Sequence, residues 1–184
     1  MKRTLDVLVA LLVLVLASPL LAAVAAAVLL ESGRPVLFRQ IRVGLGGREF
    51  AMYKFRSMVP NASTIGSYAT SADDPRITRV GRFIRRTSLD ELPQLFNVLA
   101  GDMSLVGPRP DVPAQRALYT EPQWAQRCSV RPGITGLAQA TLRSEATPEQ
   151  RLALDLRYAR EHSFWLDLQI LGWTVRRLSG KGSN

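Results

Sequence analysis

Two adjacent acids, Asp90 and Glu91, are the residues whose types and position most suggest chemistry in this sequence. Ser88 and Glu91 fit the Ser-x-x-Glu capping box, which predicts that a helix begins here. Both carboxylates would then lie in its first turn, where free backbone N–H groups and the helix dipole favour anions and keep Asp90 ionised. Arg85 stands just upstream, and acids, N–H donors and arginines together suit a phosphate site. A capping box that only starts a helix is the alternative.

The segment after the acids supplies the helix that would hold them. Its apolar residues recur at helical spacing and predict one apolar face, formed by Leu92, Leu95, Phe96 and Leu99. Pro93 is acceptable in a first helical turn, because its nitrogen needs no intrahelical bond there.

Two strands joined by a glycine-rich turn are predicted upstream, over residues 36–43 and 49–58 with the turn at 44–47. In the second strand, Lys54 and Arg56 would share one face, and two aromatic side chains would share the other. This pattern fits a solvated face over a small core, and it equally fits a phosphate contact.

Four further segments carry loops or cations. Polar residues at 60–75 predict a mobile loop, a candidate lid. Residues 76–86 carry five arginines among apolar residues, which suits a membrane surface or an anionic pocket. Arg109 lies between two prolines that restrict the backbone, and Arg131 lies in the glycine-containing turn at 130–136. Both turns have a simple structural interpretation, and both would also present a cation.

The composition limits the class of protein. A chain of 184 residues is long enough for one domain with a real core plus an appendage. Its net charge of +9 points to an anionic partner, namely nucleic acid, a membrane surface or a phosphorylated substrate. The single cysteine, Cys128, excludes an internal disulfide, and the single histidine, His162, argues against a histidine triad or a zinc site.

An uncharged run over residues 7–30 dominates the N-terminal region, and as a helix it would be about 36 Å long, enough to cross a bilayer. It fits a secretory signal peptide, a spanning helix, or a re-entrant helix that returns to the same membrane face. The run is too long for an ordinary signal peptide, and Asp6 interrupts the basic start made by Lys2 and Arg3. A bend at Ser18-Pro19 would favour the re-entrant helix. The residues predict membrane attachment and leave spanning or re-entrant open.

Two C-terminal helices are predicted. Thr147, Pro148 and Glu149 provide the cap, the proline and the acid expected at a helix start. Ser163 would cap a last helix over residues 164–178. The tryptophans and terminal arginines of this last helix are typical of a membrane interface, while its apolar content equally fits a core helix.

Together these segments resemble the small monotopic phosphoglycosyl transferases, the bacterial sugar transferase family of glycoconjugate pathways. The resemblance covers nearly the whole chain and rests on KRTLD, the Ser18-Pro19 break, QIRVG, YKFRSM, SLDELPQLFNVLAGDMSLVGPRP and VRPGITGLAQ. Leu137 stands where the family often has tryptophan, and residues 141–143 depart from a frequent Asn-Gly-Arg. Both positions would bear on sugar or nucleotide specificity.

The resemblance implies an α+β fold. A re-entrant membrane helix would occupy residues 1–33, broken at Ser18 and Pro19. A small mixed helical and strand catalytic domain with amphipathic interfacial helices would occupy residues 34–184. The protein would be monotopic in the bacterial inner membrane, with its catalytic domain on the cytoplasmic face. Larger relatives carry further membrane helices and a domain, so the sequence is expected to be a minimal catalytic unit.

The implied reaction transfers a phosphosugar from a UDP-sugar to a polyprenol phosphate such as undecaprenyl phosphate, releases UMP and uses Mg²⁺ as cofactor. Asp90 matches the family nucleophile, which carries the phosphosugar covalently. Glu91 matches its partner, whose role as metal ligand, orienting group or proton carrier is open. Both acids are candidate Mg²⁺ ligands.

Other cations also match family motifs. Arg85 matches the arginine beside the acid pair, and Lys54, Arg109 and Arg131 would hold phosphate or nucleotide. The implied partners are the UDP-sugar, the polyprenol phosphate and membrane lipid, with no nucleic acid; the sugar, the pathway, the polyprenol length and the oligomeric state are open. Two alternatives remain: a basic membrane-bound module that binds anionic ligands without catalysis, and a hydrolase of nucleotide sugars.

Overall fold

One long helix leads into a small domain of short helices and two small sheets. The structure, a computed structural model, describes residues 2–65, 74–142 and 147–178. The α-helices are α1 (Lys2–Ser32), α2 (Ala62–Ile65), α3 (Arg79–Arg86), α4 (Gln94–Ala100), α5 (Glu121–Arg127), α6 (Leu137–Thr141), α7 (Pro148–Glu161) and α8 (Phe164–Leu178). The 3₁₀ segments are Leu45–Gly47, Leu89–Glu91 and Pro113–Leu118. The mixed helix-and-sheet fold with a long apolar N-terminal helix is therefore confirmed.

The predicted hairpin is present. Strands β1 (Leu37–Val43) and β2 (Glu49–Phe55) pair antiparallel along their whole length. The second strand ends at Phe55, earlier than the predicted residue 58. A second pair, which the sequence did not predict, joins β3 (Ser104–Val106) and β4 (Gly133–Thr135) in parallel.

The core lies where α1, α4, α7 and α8 meet the parallel pair and β2. Its buried apolar side chains are Ala10, Met52, Leu95, Val98, Met103, Leu105, Val106, Leu137, Tyr158 and Ile170. Leu137, one of the positions that depart from the family pattern, is thus a core residue, only 5% exposed. The other departure, at 141–143, lies partly outside the described residues, as does half of the loop predicted at 60–75.

Both predicted C-terminal helices are confirmed. Thr147 caps α7 by accepting from the backbone N–H of Gln150. The last helix, α8, combines the two interpretations of its sequence. Ile170 is fully buried in the core, whereas Trp165 and Val175 are 72% and 64% exposed. One face of α8 therefore packs in the core, and the other presents apolar side chains outward.

The apolar face predicted for the helix after the acids is only partly right. Leu95 is buried, but Phe96 is 50% exposed. Asn97 lies on the buried side instead, where its Oδ1 accepts from Tyr53 N at 3.0 Å and its Nδ2 donates to Ala51 O at 2.8 Å. The amide thus satisfies the outer edge of β2 and fastens α4 to it.

We expect Asn97→Ala to lower the free energy of unfolding by about 2–4 kcal/mol, because it leaves two backbone groups of β2 without partners. Thermal or denaturant unfolding of the detergent-solubilised protein measures this loss. Asn61→Ala is the matched control, since Asn61 is exposed and its side chain makes no hydrogen bond to the described residues. An equal, small effect for both variants would contradict the role given to Asn97.

The N-terminal end of α1 is fastened to the domain by charged side chains. Lys2 Nζ lies 2.6 Å from Asp167 Oδ2 in α8. Asp6, the acid that interrupts the basic start, is buried, and its Oδ2 accepts from Ser104 Oγ at 2.8 Å. Asp6 therefore serves as a buried anchor between α1 and β3.

The C-terminal end of α1 is fastened to the same domain. Arg56 is buried and donates from Nη2 to Ser32 O at 2.6 Å. The solvated face that was one interpretation of Lys54 and Arg56 is therefore wrong, because Arg56 is buried and binds the last carbonyls of α1, while the Lys54 side chain is only 16% exposed. Glu31 accepts from the backbone N–H groups of Arg79 and Val80 and so caps α3.

Between its ends, α1 is exposed and apolar. Among the described residues it is the one helix long and apolar enough to cross a membrane, and only 11% of its most apolar window is buried. Pro19 lies inside the helix and leaves Val15 O without its helical N–H partner. Ser18 Oγ donates to that carbonyl at 2.8 Å.

Candidate active site

The acid pair lies in a tight connection between α3 and α4, and the predicted capping box is wrong. Ser88 adopts a left-handed backbone with φ 58° and makes no side-chain cap hydrogen bond. Asp90 and Glu91 follow in a single 3₁₀ turn, and α4 begins only at Gln94. The left-handed backbone of Ser88 reverses the chain after α3. The Glu91 carboxylate contacts Lys54 and Arg109 and does not cap a helix. The 3₁₀ turn packs against β2, and this brings Glu91 to Lys54 on that strand.

Glu91 is held by two cations. Its Oε1 lies 2.7 Å from Lys54 Nζ on β2 and 2.7 Å from Arg109 Nη2. Burial alone would raise the pKa of Glu91, but Arg109 and Lys54 outweigh it and lower the pKa to about 2 from the ordinary 4.5. Glu91 is therefore a fixed anion at neutral pH, and a group that never takes up a proton there is a poor general acid.

Asp90 differs from Glu91 in its contacts and in the direction in which its pKa is shifted. The residue is 8% exposed, and its carboxylate makes no hydrogen bond or salt bridge with the described residues. Burial raises the pKa of Asp90, and the charge of Glu91 adds to that effect, while Lys54 and Arg85 oppose it. The carboxylate is thus not stabilised as an ordinary helix-terminal anion, contrary to the sequence-based expectation. An anion with few hydrogen bonds in a poorly solvated place is a better nucleophile.

The structure gathers three of the four predicted cations around the acids. Lys54 and Arg109 contact Glu91 directly, and Arg85 in the last turn of α3 contributes its charge to Asp90. Arg131 lies elsewhere. Its Nε donates to Gly101 O at 3.0 Å, beyond the opposite end of α4.

Sequence reasoning missed the residues that hold the Arg109 turn. Arg42 on β1 donates from Nη1 to Pro110 O at 2.9 Å. It lies within the QIRVG segment, so the motif marked the position without giving its role. Arg127, in α5, binds the same turn from another side. Nothing in the local sequence around Arg127 indicates this contact, because the two segments meet only through the fold.

Two concave surfaces lie on the described part of the chain, and neither is lined by the acid pair itself. An open apolar groove of about 810 Å³ lies between α1 and α3, with Val24, Leu30 and Phe83 among its lining residues. A cavity of about 610 Å³ is lined by Arg109, the cation that contacts Glu91, and its other lining residues include Arg42, Tyr119, Gln139, Leu142 and Arg151. The cavity has the size of a small-molecule site and carries several cations.

The acid pair is the candidate place for a metal ion. The described residues contain no group of three or more His, Cys, Asp and Glu side chains that could bind a metal. Mg²⁺, however, is usually held by one or two carboxylates together with substrate phosphates. The unpartnered carboxylate of Asp90 beside Glu91 fits a Mg²⁺ ion of that kind.

Two neighbouring acids and three cations lie together on a domain joined to a long apolar helix, which could be embedded in a membrane. The chain belongs to the bacterial sugar transferase family, whose model matches residues 1–181.

Individual relatives agree with this assignment. The chain is 48% identical to an undecaprenyl-phosphate glucose phosphotransferase of Komagataeibacter xylinus, over 96% of this chain and 35% of the relative. It is 46% identical to the uncharacterized sugar transferase EpsL of Bacillus subtilis, over 97% of this chain and 87% of that protein. A third relative is the UDP-N-acetylgalactosamine-undecaprenyl-phosphate N-acetylgalactosaminephosphotransferase of Aeromonas hydrophila, 44% identical over 99% of this chain and 44% of its own length. The chain thus spans less than half the length of two of these three relatives.

Proposed function

We propose that the protein transfers a phosphosugar from a UDP-sugar to a polyprenol phosphate, in two displacements at Asp90. In the first, an Asp90 carboxylate oxygen attacks the phosphorus that bears the sugar, and the bond from that phosphorus to the UMP oxygen breaks. In the second, a phosphate oxygen of the polyprenol phosphate attacks the same phosphorus. The aspartyl bond then breaks, which yields the polyprenyl-diphosphate sugar and regenerates the Asp90 carboxylate.

The observation that carries the proposal is the difference between the two acids. Glu91 is neutralised by Lys54 and Arg109, whereas Asp90 is buried without a hydrogen-bonding partner among the described residues. A nucleophilic carboxylate must approach a diphosphate of like charge, so nearby cations have to offset the repulsion. Lys54, Arg85 and Arg109 are the cations proposed to do this, because their charges act on the acid pair.

The cavity beside Arg109 is the proposed place for the nucleotide part of the donor. Its cations suit a diphosphate, and its volume of about 610 Å³ suits a nucleotide sugar. Relatives named as UDP-glucose or UDP-N-acetylgalactosamine transferases support a UDP-sugar as donor. They differ in the sugar, so the sugar of this chain is open.

The groove between α1 and α3 supports a lipid acceptor. Its lining is apolar apart from Glu31 and Arg79. The same helix α3 also carries Arg82 and Arg86, both exposed and without a salt bridge to the described residues. An apolar groove beside a helix that carries several cations suits a lipid that ends in phosphate. Relatives named as undecaprenyl-phosphate phosphotransferases support a polyprenol phosphate.

We infer a re-entrant α1 from the contacts at its two ends. A straight helix of its 31 residues would be about 46 Å long. Lys2 and Asp6 at one end and Ser32 at the other all contact the same domain, while the apolar middle is exposed. A spanning helix would separate its ends across the bilayer. The domain would then lie on the cytoplasmic face of the bacterial inner membrane, where UDP-sugars occur.

Mg²⁺ is the proposed cofactor, held by Asp90 and Glu91 together with the donor phosphates. When bound, it would neutralise charge on the phosphate oxygens. Glu91 also fixes Lys54 and Arg109, whatever its share in metal binding.

A UMP-release assay over a panel of UDP-sugars, with and without a polyprenol phosphate, tests the reaction. With the acceptor we expect continuous turnover for at least one sugar. Without it we expect at most one equivalent of UMP, with the sugar-phosphate label retained on the protein. Continuous release without acceptor would instead indicate a hydrolase, and no release with any donor would indicate a binding module.

The topology is tested by labelling single cysteines with a membrane-impermeant maleimide, in a background that lacks Cys128. Thr4→Cys and Ser163→Cys place thiols at exposed positions, one near the start of α1 and one in the domain. Both should react from the same side of the membrane. Reaction from opposite sides would mean that α1 spans it.

The pH profile of the first step should report Asp90. Its pKa is raised in the folded protein, so the nucleophile becomes protonated, and UMP release falls, at a pH above the 3.8 of an ordinary aspartate. Single-turnover rates of UMP release between pH 4 and 8 measure this acid limb. Activity that stayed constant down to pH 4 would contradict the raised pKa.

A further inference from the structure

The backbone of the Arg109 turn is held at four consecutive carbonyls. The four donors come from three separate parts of the chain, namely β1, α5 and β4: Gly133 N to Pro108 O (3.0 Å), Arg127 Nη2 to Arg109 O (2.5 Å), Arg42 Nη1 to Pro110 O (2.9 Å) and Val43 N to Asp111 O (2.9 Å). The two prolines have no N–H to donate and restrict φ. Because all four carbonyls accept hydrogen bonds, the backbone of this turn has little conformational freedom. It is more strongly fixed than an ordinary surface loop.

Close packing against the neighbouring turn adds to this constraint. A Cβ on Gly107 would lie 2.2 Å from Arg131 O, and a Cβ on Gly133 would lie 2.1 Å from Gly107 N. Only glycine allows the two backbones to approach so closely. The turn that carries Arg109 is therefore fixed on one side by backbone packing and on the other by two arginines.

Arg127 is a buried member of this set, with 7% of its surface exposed. Its Nη2 and Nε lie 2.9 and 3.1 Å from Asp155 Oδ2, and its Nη1 lies 2.5 Å from Asp111 Oδ2. Its guanidinium carbon also lies 5.6 Å from the centre of the Tyr119 ring. The guanidinium fork thus serves two carboxylates and the Arg109 carbonyl at once, which the single ammonium group of lysine cannot do.

Stability alone does not explain the arrangement. Burial of one cation with two acids costs desolvation free energy, and the attraction between the buried charges often does not offset that cost. The contact that stands out is with Arg109 O, because the side chain of the same residue reaches Glu91 at 2.7 Å. A shift of the turn would move that guanidinium relative to the acid pair.

We propose that Arg127 is a positioning residue, which fixes the Arg109 backbone so that the Arg109 guanidinium stays against Glu91 and beside the donor phosphates. The inference rests on the proposed function, in which Arg109 binds phosphate. It makes the buried network of α5 and α7 a support for the active site, although neither helix contributes a residue to the acid pair.

A double-mutant cycle with Arg127→Lys and Arg109→Gln tests this role. Lysine keeps the buried charge between Asp111 and Asp155 but makes fewer hydrogen bonds, so the thermal midpoint should fall, and rates are compared at a temperature at which every variant is folded. The single-turnover rate of UMP release should fall by about 10- to 100-fold, since small displacements of binding groups have effects of this size. Arg109→Gln alone should lose at least as much, and Arg127→Lys should then add no further loss.

Arg116→Lys is the matched control. Arg116 lies in the 3₁₀ segment Pro113–Leu118, pairs with Glu121 and stacks 5.3 Å from the Trp124 ring, away from the turn. It should keep its full rate. Unchanged activity of Arg127→Lys, or losses that multiply in the double variant, would overturn the proposal. A failure of the original protein to release UMP would count against the proposed function instead.

Discussion

We expect Asp90→Asn to abolish UMP release, with a loss of at least about 10³-fold, because removal of a nucleophile typically costs more than that in rate. Asparagine has the same shape as aspartate but no anionic oxygen to attack phosphorus. The sugar-phosphate label should also disappear from the protein, since no aspartyl bond can form. Radiolabelled donor, followed by separation of protein from free nucleotide, measures both results in one experiment.

The fold should survive this change. Asp90 makes no hydrogen bond or salt bridge with the described residues, and its pKa is raised by burial, so a neutral isostere suits the site. Membrane association and thermal midpoint should therefore match those of the original protein. Asp102→Asn is the matched control, because Asp102 lies beyond the opposite end of α4 and loses the same charge. Full activity of Asp90→Asn would disprove the nucleophile assignment.

Local sequence patterns predicted the elements that depend on neighbouring residues. The hairpin follows from alternation around a glycine turn, and α7 follows from Thr147 and Pro148 at its start. Ser18 Oγ donates to Val15 O, the carbonyl that Pro19 leaves without a helical partner, and this contact also depends on nearby residues alone. These features need no knowledge of the rest of the fold.

Features that depend on distant contacts could not be predicted in the same way. Ser88 has the side chain of a helix cap, yet its left-handed backbone serves the reversal between α3 and α4. Arg131 and Arg109 both lie in proline-containing turns, but only Arg109 reaches the acid pair. The raised pKa of Asp90 comes from burial by other elements, which overcomes any local preference for an anion.

The family resemblance and the geometry give different information about the acid pair. The resemblance named both acids together, because they are adjacent in the motif. The geometry separates them, since both cations that make salt bridges with the pair go to Glu91. Glu91 then acts through Lys54 and Arg109, and this suggests a test of the role that the sequence left open.

We expect Glu91→Gln to lower the single-turnover rate of UMP release by about 10²-fold, a usual cost of losing one preorganised electrostatic group. Glutamine keeps the size of the side chain but no longer holds the two cations by charge. The charged form of Lys54 should lose the most stabilisation, because burial already lowers the pKa of Lys54 and Glu91 is the main charge that opposes this effect. Glu161→Gln, at an exposed i,i+4 pair with Arg157, is the control and should keep its rate.

The pH and Mg²⁺ dependence of the variant then distinguish the roles of Glu91. The charge of Glu91 is one cause of the raised pKa of Asp90, so its removal should move the acid limb of the profile to lower pH. If Glu91 mainly fixes Lys54 and Arg109, added Mg²⁺ should not restore the rate, because the cations remain misplaced. Recovery at high Mg²⁺ would show that Glu91 is chiefly a metal ligand, and an unchanged acid limb would mean that its charge does not reach Asp90.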